Sequence, residues 1–311
     1  MTMTSETLAA SRGYRLSRGR RSASNEPLLN RVRRLALACA WSLKPPRLWG
    51  VPNVLWMTLK HAVNPSAARN KLPNPETALS HPEGLVGICP DLRVETLISG
   101  YRAGLFQLCH VRPYKWWAPD PRMVLRLSDF HMEKNLRRRL RSGKFKVTFD
   151  QAFEDVLRGC AEPRPGKYSL TWITEDIIDA YAALHAAGYA HSVEVWDEEG
   201  NLAGGVIGFA IGKVFFTETQ FARQRDASKV GFATLACHLQ RWGFAFNDGK
   251  CHSNHLAQAG FQLIPRSQFN ALLARYCSED GDTGPWTVDE NLDVGNWDPR
   301  SPDWDAETTA A

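Results

Sequence analysis

Glu218 sits in Val214-Phe-Phe-Thr-Glu-Thr-Gln220, among apolar and small residues, and Asp248 follows Phe246 in a second short segment. A carboxylate in such a strand is either partnered in a pocket, where it can hold or pass a proton, or turned outward at a sheet edge. Asp248 precedes Gly249 and also reads as a plain turn residue. Upstream, Arg223 through Lys229 leads into an apolar helix, with Asp226 at the N-cap position and Ser228 and Lys229 in the first turn. The start of a helix is a natural anion site, although an ordinary capped helix has the same pattern. Cys251, His252 and His255 are possible metal ligands, but Cys and His at that spacing on a short helix commonly just pack, so no metal is expected. No Gly-x-Ser-x-Gly elbow is present. The reactive groups therefore suit chemistry that needs neither a covalent nucleophile nor a metal.

These groups must be held by a particular set of elements. His191 to Trp196 alternates as a strand, Asp197-Glu-Glu-Gly-Asn201 turns, and Leu202 to Ala210 returns. After Ile211-Gly212-Lys213, Val214 to Gln220 completes a meander. A long helix opens at Asp226 with Val230, Ala233, Ala236 and Leu239 on one face; a short strand near Asp248, a short helix ending at Gly260 and a strand near Phe261 follow. Before the meander, helices are expected at 94–105, 129–140, 150–160 and 174–187, the last capped by the Thr174 hydroxyl, with a strand at 123–127. The fold class is α+β.

Charge divides the chain unevenly. Residues 1–72 hold 13 Lys/Arg against Glu6 and Glu26, a balance of +11, so the rest of a chain of net charge +5 sums to −6. A basic arm suits a polyanionic partner: RNA, DNA or a membrane surface. Its first 30 residues are expected to be disordered, while within 31–62 the residues Val32, Leu35, Ala36, Ala38, Cys39 and Leu43 follow helical spacing, in a helix opened by Arg31, Arg33 and Arg34. Residues 1–47, rich in Arg and Ser and poor in acids, have the composition of an organellar transit peptide and equally of a plain cytosolic extension. The longest apolar run, Leu35 to Leu43, is too short to cross a bilayer. The seven scattered cysteines suit reduced thiols in the cytoplasm better than a disulfide framework.

Several segments, in order, resemble the leucyl/phenylalanyl-tRNA-protein transferases: Pro82-Glu-Gly-Leu85, Tyr101-Arg-Ala-Gly104, Trp116-Trp-Ala-Pro-Asp-Pro-Arg122, Thr171-Trp-Ile-Thr174, Ala190-His-Ser-Val-Glu-Val-Trp196, Thr217-Glu-Thr-Gln-Phe221 and Ala227-Ser-Lys229. The resemblance implies a GNAT-like domain, as in N-acyltransferases, at 141–275. It follows a small N-terminal α/β domain at 73–140 and a basic, partly disordered extension at 1–72, and precedes a C-terminal tail at 276–311. It implies transfer of an amino acid from aminoacyl-tRNA to the α-amino group of a protein by a cytoplasmic monomer, with no cofactor and no stable membrane insertion. Glu218, Asp248 and Lys250 become the expected catalytic residues. Val206, Phe215, Gln220, Phe232 and Leu235 become the aminoacyl pocket, and Tyr101, Trp117, Arg137, Arg138, Arg223, Ser228 and Lys229 the tRNA contacts. Paired tryptophans such as Trp116 and Trp117 more often pack than stack on bases.

Three positions depart from the family pattern. Leu108 stands where the family has a tryptophan that stacks on the terminal adenosine, a contact worth roughly 1–3 kcal/mol. Gln220 replaces an apolar methionine in the pocket. Lys250 replaces an active-site glutamine, and a cation there would repel an ammonium nucleophile unless it donates to the oxyanion or is neutralised by Asp248 and Glu218. These changes suit a divergent member with a different acceptor amine or acyl donor, or a non-catalytic tRNA-binding relative.

Overall fold

Alternation between two buried faces organises the largest sheet. In the computed structural model, which describes residues 32, 35–37, 39–40, 47–64, 71–162, 171–281 and 284–301, Ile207, Phe209 and Ile211 enter one hydrophobic core while Val206 and Ala210 enter another. The sheet is therefore covered on both sides, as side-chain alternation requires of a strand buried on both faces.

In chain order the elements are α1 (Val51–Val63), β1 (Leu85–Ile88), α2 (Val94–Arg102), β2 (Phe106–Gln107), β3 (Lys115–Trp117), β4 (Arg122–Arg126), α3 (Lys134–Arg141), β5 (Lys146–Phe149), α4 (Phe153–Ala161), α5 (Glu175–Ala186), β6 (Ala190–Trp196), β7 (Leu202–Ile211), β8 (Val214–Ala222), α6 (Ala227–Arg241), β9 (Phe246–Lys250), α7 (Asn254–Gln258), β10 (Gln262–Ile264) and α8 (Arg266–Tyr276). A small sheet has the order β1-β3-β2 and a seven-stranded sheet the order β10-β4-β9-β8-β7-β6-β5. Every neighbouring pair is antiparallel except β8 and β9. The architecture is α+β.

The expected meander is present as β6, β7 and β8. The expected helix at 129–140 starts later, because the amide of His131 bonds the carbonyl of Ala259 at 3.0 Å and holds the preceding chain out of helical register. Thr174 occupies the N-cap of α5, but its hydroxyl makes no capping bond. Of the expected arm helix, the described residues 32, 35–37 and 39–40 are helical; a 3-10 turn, Arg47–Gly50, and then α1, with Pro52 in its first turn, follow it. Residues 1–30 lie outside the described residues.

One core runs from Val86, Leu97 and Trp116 beside the small sheet to Ile177, Tyr181 and Phe209 beside the large one. The segment 73–140 thus shares its core with 141–275, and its β4 is a strand of the larger sheet. The second core joins α6, β4 and the far side of the meander.

The chain after α8 is anchored to the body by two buried tryptophans. Trp297 is fully buried, stacks on Phe130 at 5.2 Å and donates its indole N–H to Gln240 Oε1 at 2.9 Å. Trp286 stacks on His191 at 3.6 Å. Truncating a large buried aromatic costs about 3–5 kcal/mol. Trp297→Ala is expected to lower urea-derived stability by about that amount, whereas Trp297→Phe, which keeps a ring but loses the hydrogen bond, costs about 1–2 kcal/mol.

Candidate active site

Parallel pairing of β8 with β9 covers Val214 to Phe216 against Phe246 to Asp248 and then ends. The two strands part at that point, and both are irregular there. Opposite β7, Ile207 faces Thr219 and Gly208 faces Thr217, which leaves Glu218 as an extra residue in β8. Opposite β4, Met123 faces Lys250 and Val124 faces Asp248, which leaves Gly249 as an extra residue in β9. Bulges re-aim side chains and are frequent beside active sites. Lys250 has a φ of 64°, a conformation that L residues rarely adopt.

The two bulges bring Glu218 and Lys250 together as a direct ion pair. Lys250 Nζ also donates to the Thr217 carbonyl at 2.8 Å and so bridges the fork. Glu218 accepts the hydroxyls of Tyr101 (2.7 Å, on Oε1) and Tyr181 (2.8 Å, on Oε2). Burial, and next the negative charge of Glu218, holds both phenols well above the usual tyrosine range. They therefore remain donors wherever the carboxylate is charged. Both rings rest edge-on against Phe209, at 5.1 Å and 4.7 Å.

Asp248 belongs to a second ion pair behind the first. Arg122 grips it bidentately through Nε (2.8 Å) and a terminal nitrogen (2.7 Å), and both side chains are 0% exposed. The other terminal nitrogen of Arg122 donates to the Gly104 carbonyl at 3.2 Å, and the guanidinium lies between Phe106 and Phe269 at 4.9 Å and 4.5 Å. Asp248 Oδ1 also accepts the Lys250 backbone N–H at 2.9 Å. Asp248 thus fixes the backbone of residue 250, while among the described residues the acid paired with its ammonium is Glu218.

The expected catalytic trio is therefore brought together, with Arg122 and Tyr181 as partners that sequence reasoning missed. Tyr181 was findable: it shares the apolar stripe of α5 with Ile177, Ile178 and Leu184, and a buried phenol needs an acceptor. Arg122 offered no comparable local signal, since its partners lie 18 and 126 residues away.

Four of the five expected pocket residues, Val206, Phe215, Phe232 and Leu235, are buried in the second core, and Gln220 pairs with Val206 across β7 and β8. A cleft opens beside Phe232, lined also by Phe130, Leu136, Glu133, Lys229 and His255. Lys229 reaches Glu133 at 3.4 Å. Burial, and next the charge of Lys229, lowers the His255 pKa, which keeps that imidazole neutral over more of the pH range. Gly204 lets the start of α6 come close, since a Cβ there would lie 2.9 Å from the Ala227 methyl and 3.2 Å from the Ser228 nitrogen. Asp226 holds the N-cap position with a φ of 69° but makes no capping bond; its carboxylate faces Arg139 at 3.8 Å instead.

Several expected tRNA contacts are already occupied. Tyr101 is fully buried on Glu218, which makes it part of the carboxylate's cradle and leaves no face for a base. Trp117 donates its indole N–H to the Leu108 carbonyl at 2.8 Å. Arg137 donates to the Gly295 carbonyl at 3.1 Å, so it holds the C-terminal segment. Arg223 pairs with Glu162 at 2.6 Å but is still about half exposed. Arg138 is exposed on α3, and Ser228 is half-buried in the first turn of α6.

The family model described as leucyl/phenylalanyl-tRNA protein transferase matches residues 124–274, the stretch that contains β8, β9 and α6. A leucyl/phenylalanyl-tRNA-protein transferase of Thiobacillus denitrificans is 45% identical over 218 residues, which are 70% of this chain and 95% of that protein. One from Stutzerimonas stutzeri is 48% identical over 202 residues, 65% of this chain and 88% of its own. Relatives this similar, matched along most of their own length, place the chain in the leucyl/phenylalanyl-tRNA protein transferase family.

Proposed function

We propose that this chain transfers an amino acid, leucine or phenylalanine, from aminoacyl-tRNA to the N-terminal α-amino group of an acceptor protein, as in N-end-rule tagging for degradation. The observation that carries this reading is the 45% identity over 95% of a relative bearing that name. The domain at 141–275 is read as GNAT-like, and the enzyme as a cytoplasmic monomer that works without a cofactor.

An aminoacyl ester is already activated. Attack by an amine needs orientation, loss of one proton from the nucleophile, gain of one by the departing ribose oxygen, and stabilisation of a transient oxyanion. The fork between β8 and β9 is proposed as the meeting point of donor and acceptor. There Lys250 is the donor closest to a developing oxyanion, and Glu218 is its counter-charge and the proton-holding group. Asp248 acts as a positioning residue: tied to Arg122, it sets the backbone of residue 250. Val206, Phe215, Phe232 and Leu235 would hold the aminoacyl side chain, with Gln220 at the edge. Lys229, Ser228 and Arg223 would meet phosphates at the start of α6.

One observation favours a shifted acceptor preference. The Lys250–Glu218 pair leaves the fork with no net negative charge to attract a basic N-terminal residue. With Leu- or Phe-tRNA and peptides differing in their first residue, mass spectrometry is expected to find transfer by the wild type. Lys250→Gln is expected to raise kcat/KM for an Arg-starting peptide about tenfold relative to a neutral one, about one pK unit of interaction. Binding of charged tRNA without transfer to any peptide would overturn the catalytic reading. An unchanged peptide ratio in Lys250→Gln would overturn only the altered preference.

The supporting ion pair has its own test. Arg122→Met leaves the Asp248 carboxylate buried without its counter-charge and is expected to cost about 3–5 kcal/mol in urea unfolding. Adding Asp248→Asn should restore most of that loss.

A further inference from the structure

Helix α1 presents two different sides. Toward the body, Asn53 Nδ2 donates to the His81 carbonyl at 2.6 Å, and Gly50, just before the helix, lies against the Pro82 ring. Toward solvent, Leu55, Trp56, Leu59 and Val63 are between 59% and 80% exposed, and Trp49 joins them at 75%. Spacings of three and four residues set these side chains along one face of the helix. No residue of α1 is buried, and Val32 and Leu35 upstream are also exposed. Leaving this much apolar area in water is unfavourable, and a clustered apolar face marks an interaction surface.

The charge of the same region narrows the partner. Residues 1–72 carry +11, with only Glu6 and Glu26 as acids, and Lys60 lies exposed on α1 itself. An RNA would satisfy the cations but leave the Leu and Val side chains in water. A protein partner or a second copy would cover the apolar face but has no stated use for so many positive charges. An anionic lipid surface uses both: acyl chains accept the aliphatic stripe, tryptophans favour the interface, and headgroups attract the Lys and Arg side chains.

We propose that the N-terminal region holds the protein reversibly on the surface of an anionic bilayer, with α1 lying in the interface and Leu55, Trp56 and Leu59 inserted among the acyl chains. At 13 residues α1 is far too short to span. Among the described residues no helix is long and apolar enough to cross a membrane, so the contact is peripheral. The proposal does not depend on the transfer reaction.

The test is flotation of the full chain with phosphatidylcholine vesicles, with and without about one third phosphatidylglycerol. Binding to the anionic vesicles alone is expected, weakened by high salt. A Leu55→Gln/Trp56→Gln/Leu59→Gln variant should lower the bound fraction at least about tenfold while leaving transfer from soluble charged tRNA unchanged, because those side chains face solvent. Arg31→Gln/Arg33→Gln/Arg34→Gln should also weaken binding. Absence of flotation, equal binding to both vesicle types, or binding that the apolar variant retains would each overturn the proposal. So would arm-dependent tRNA binding or dimerisation without flotation.

Discussion

Two ion pairs share one interior site, and each charge is tolerable there only because another faces it. Removing charges from water costs several kcal/mol per ion, recovered only with close geometry and further hydrogen bonds. Arg122 and Asp248 meet this demand with a bidentate grip, the Gly104 carbonyl and two flanking aromatic rings. Lys250 and Glu218 meet it with two phenols and a backbone carbonyl. The rest of the site follows from that constraint. β4, β8 and β9 must sit at one register, α2 and α5 must deliver Tyr101 and Tyr181, and the strands must bulge so that Glu218 and Lys250 point at each other.

This arrangement separates tasks by position. The charged cluster lies where β8 and β9 stop pairing, while the apolar residues suited to an aminoacyl side chain lie in the other core, beneath α6. The cleft beside Phe232 connects that core with Lys229 at the helix start. Part of the basic helix α3 has a structural task, since Arg137 and Arg141 both donate to the Gly295 carbonyl and pin the C-terminal segment over the second core. Charge density in sequence therefore overstates how many cations are available to tRNA.

Local pattern made the meander and α6 readable, because alternation, glycine turns and helical spacing are properties of adjacent residues. The start of α3 was not readable that way, since a bond from His131 to Ala259 decides it. Lys146-Val-Thr-Phe149 and the two-residue strand Phe106–Gln107 are too short to signal alone and exist through pairing with β6 and β3. The same division holds at the site. Glu218 stood out as an acid among apolar neighbours, and Lys250 as a departure from the family pattern. That Tyr101 would cradle the carboxylate instead of meeting a base, and that Arg122 would take Asp248, depends on contacts 117 and 126 residues apart.

In the proposed reaction Glu218 and Lys250 act as one unit at the fork. Their coupling is read by a double-mutant cycle on single-turnover transfer from charged tRNA to peptide, with Glu218→Gln, Lys250→Met and the pair. Strong non-additivity is expected, the double variant losing no more than the worse single one. Losses that simply add would contradict it, because they would mean that the two groups serve the reaction independently.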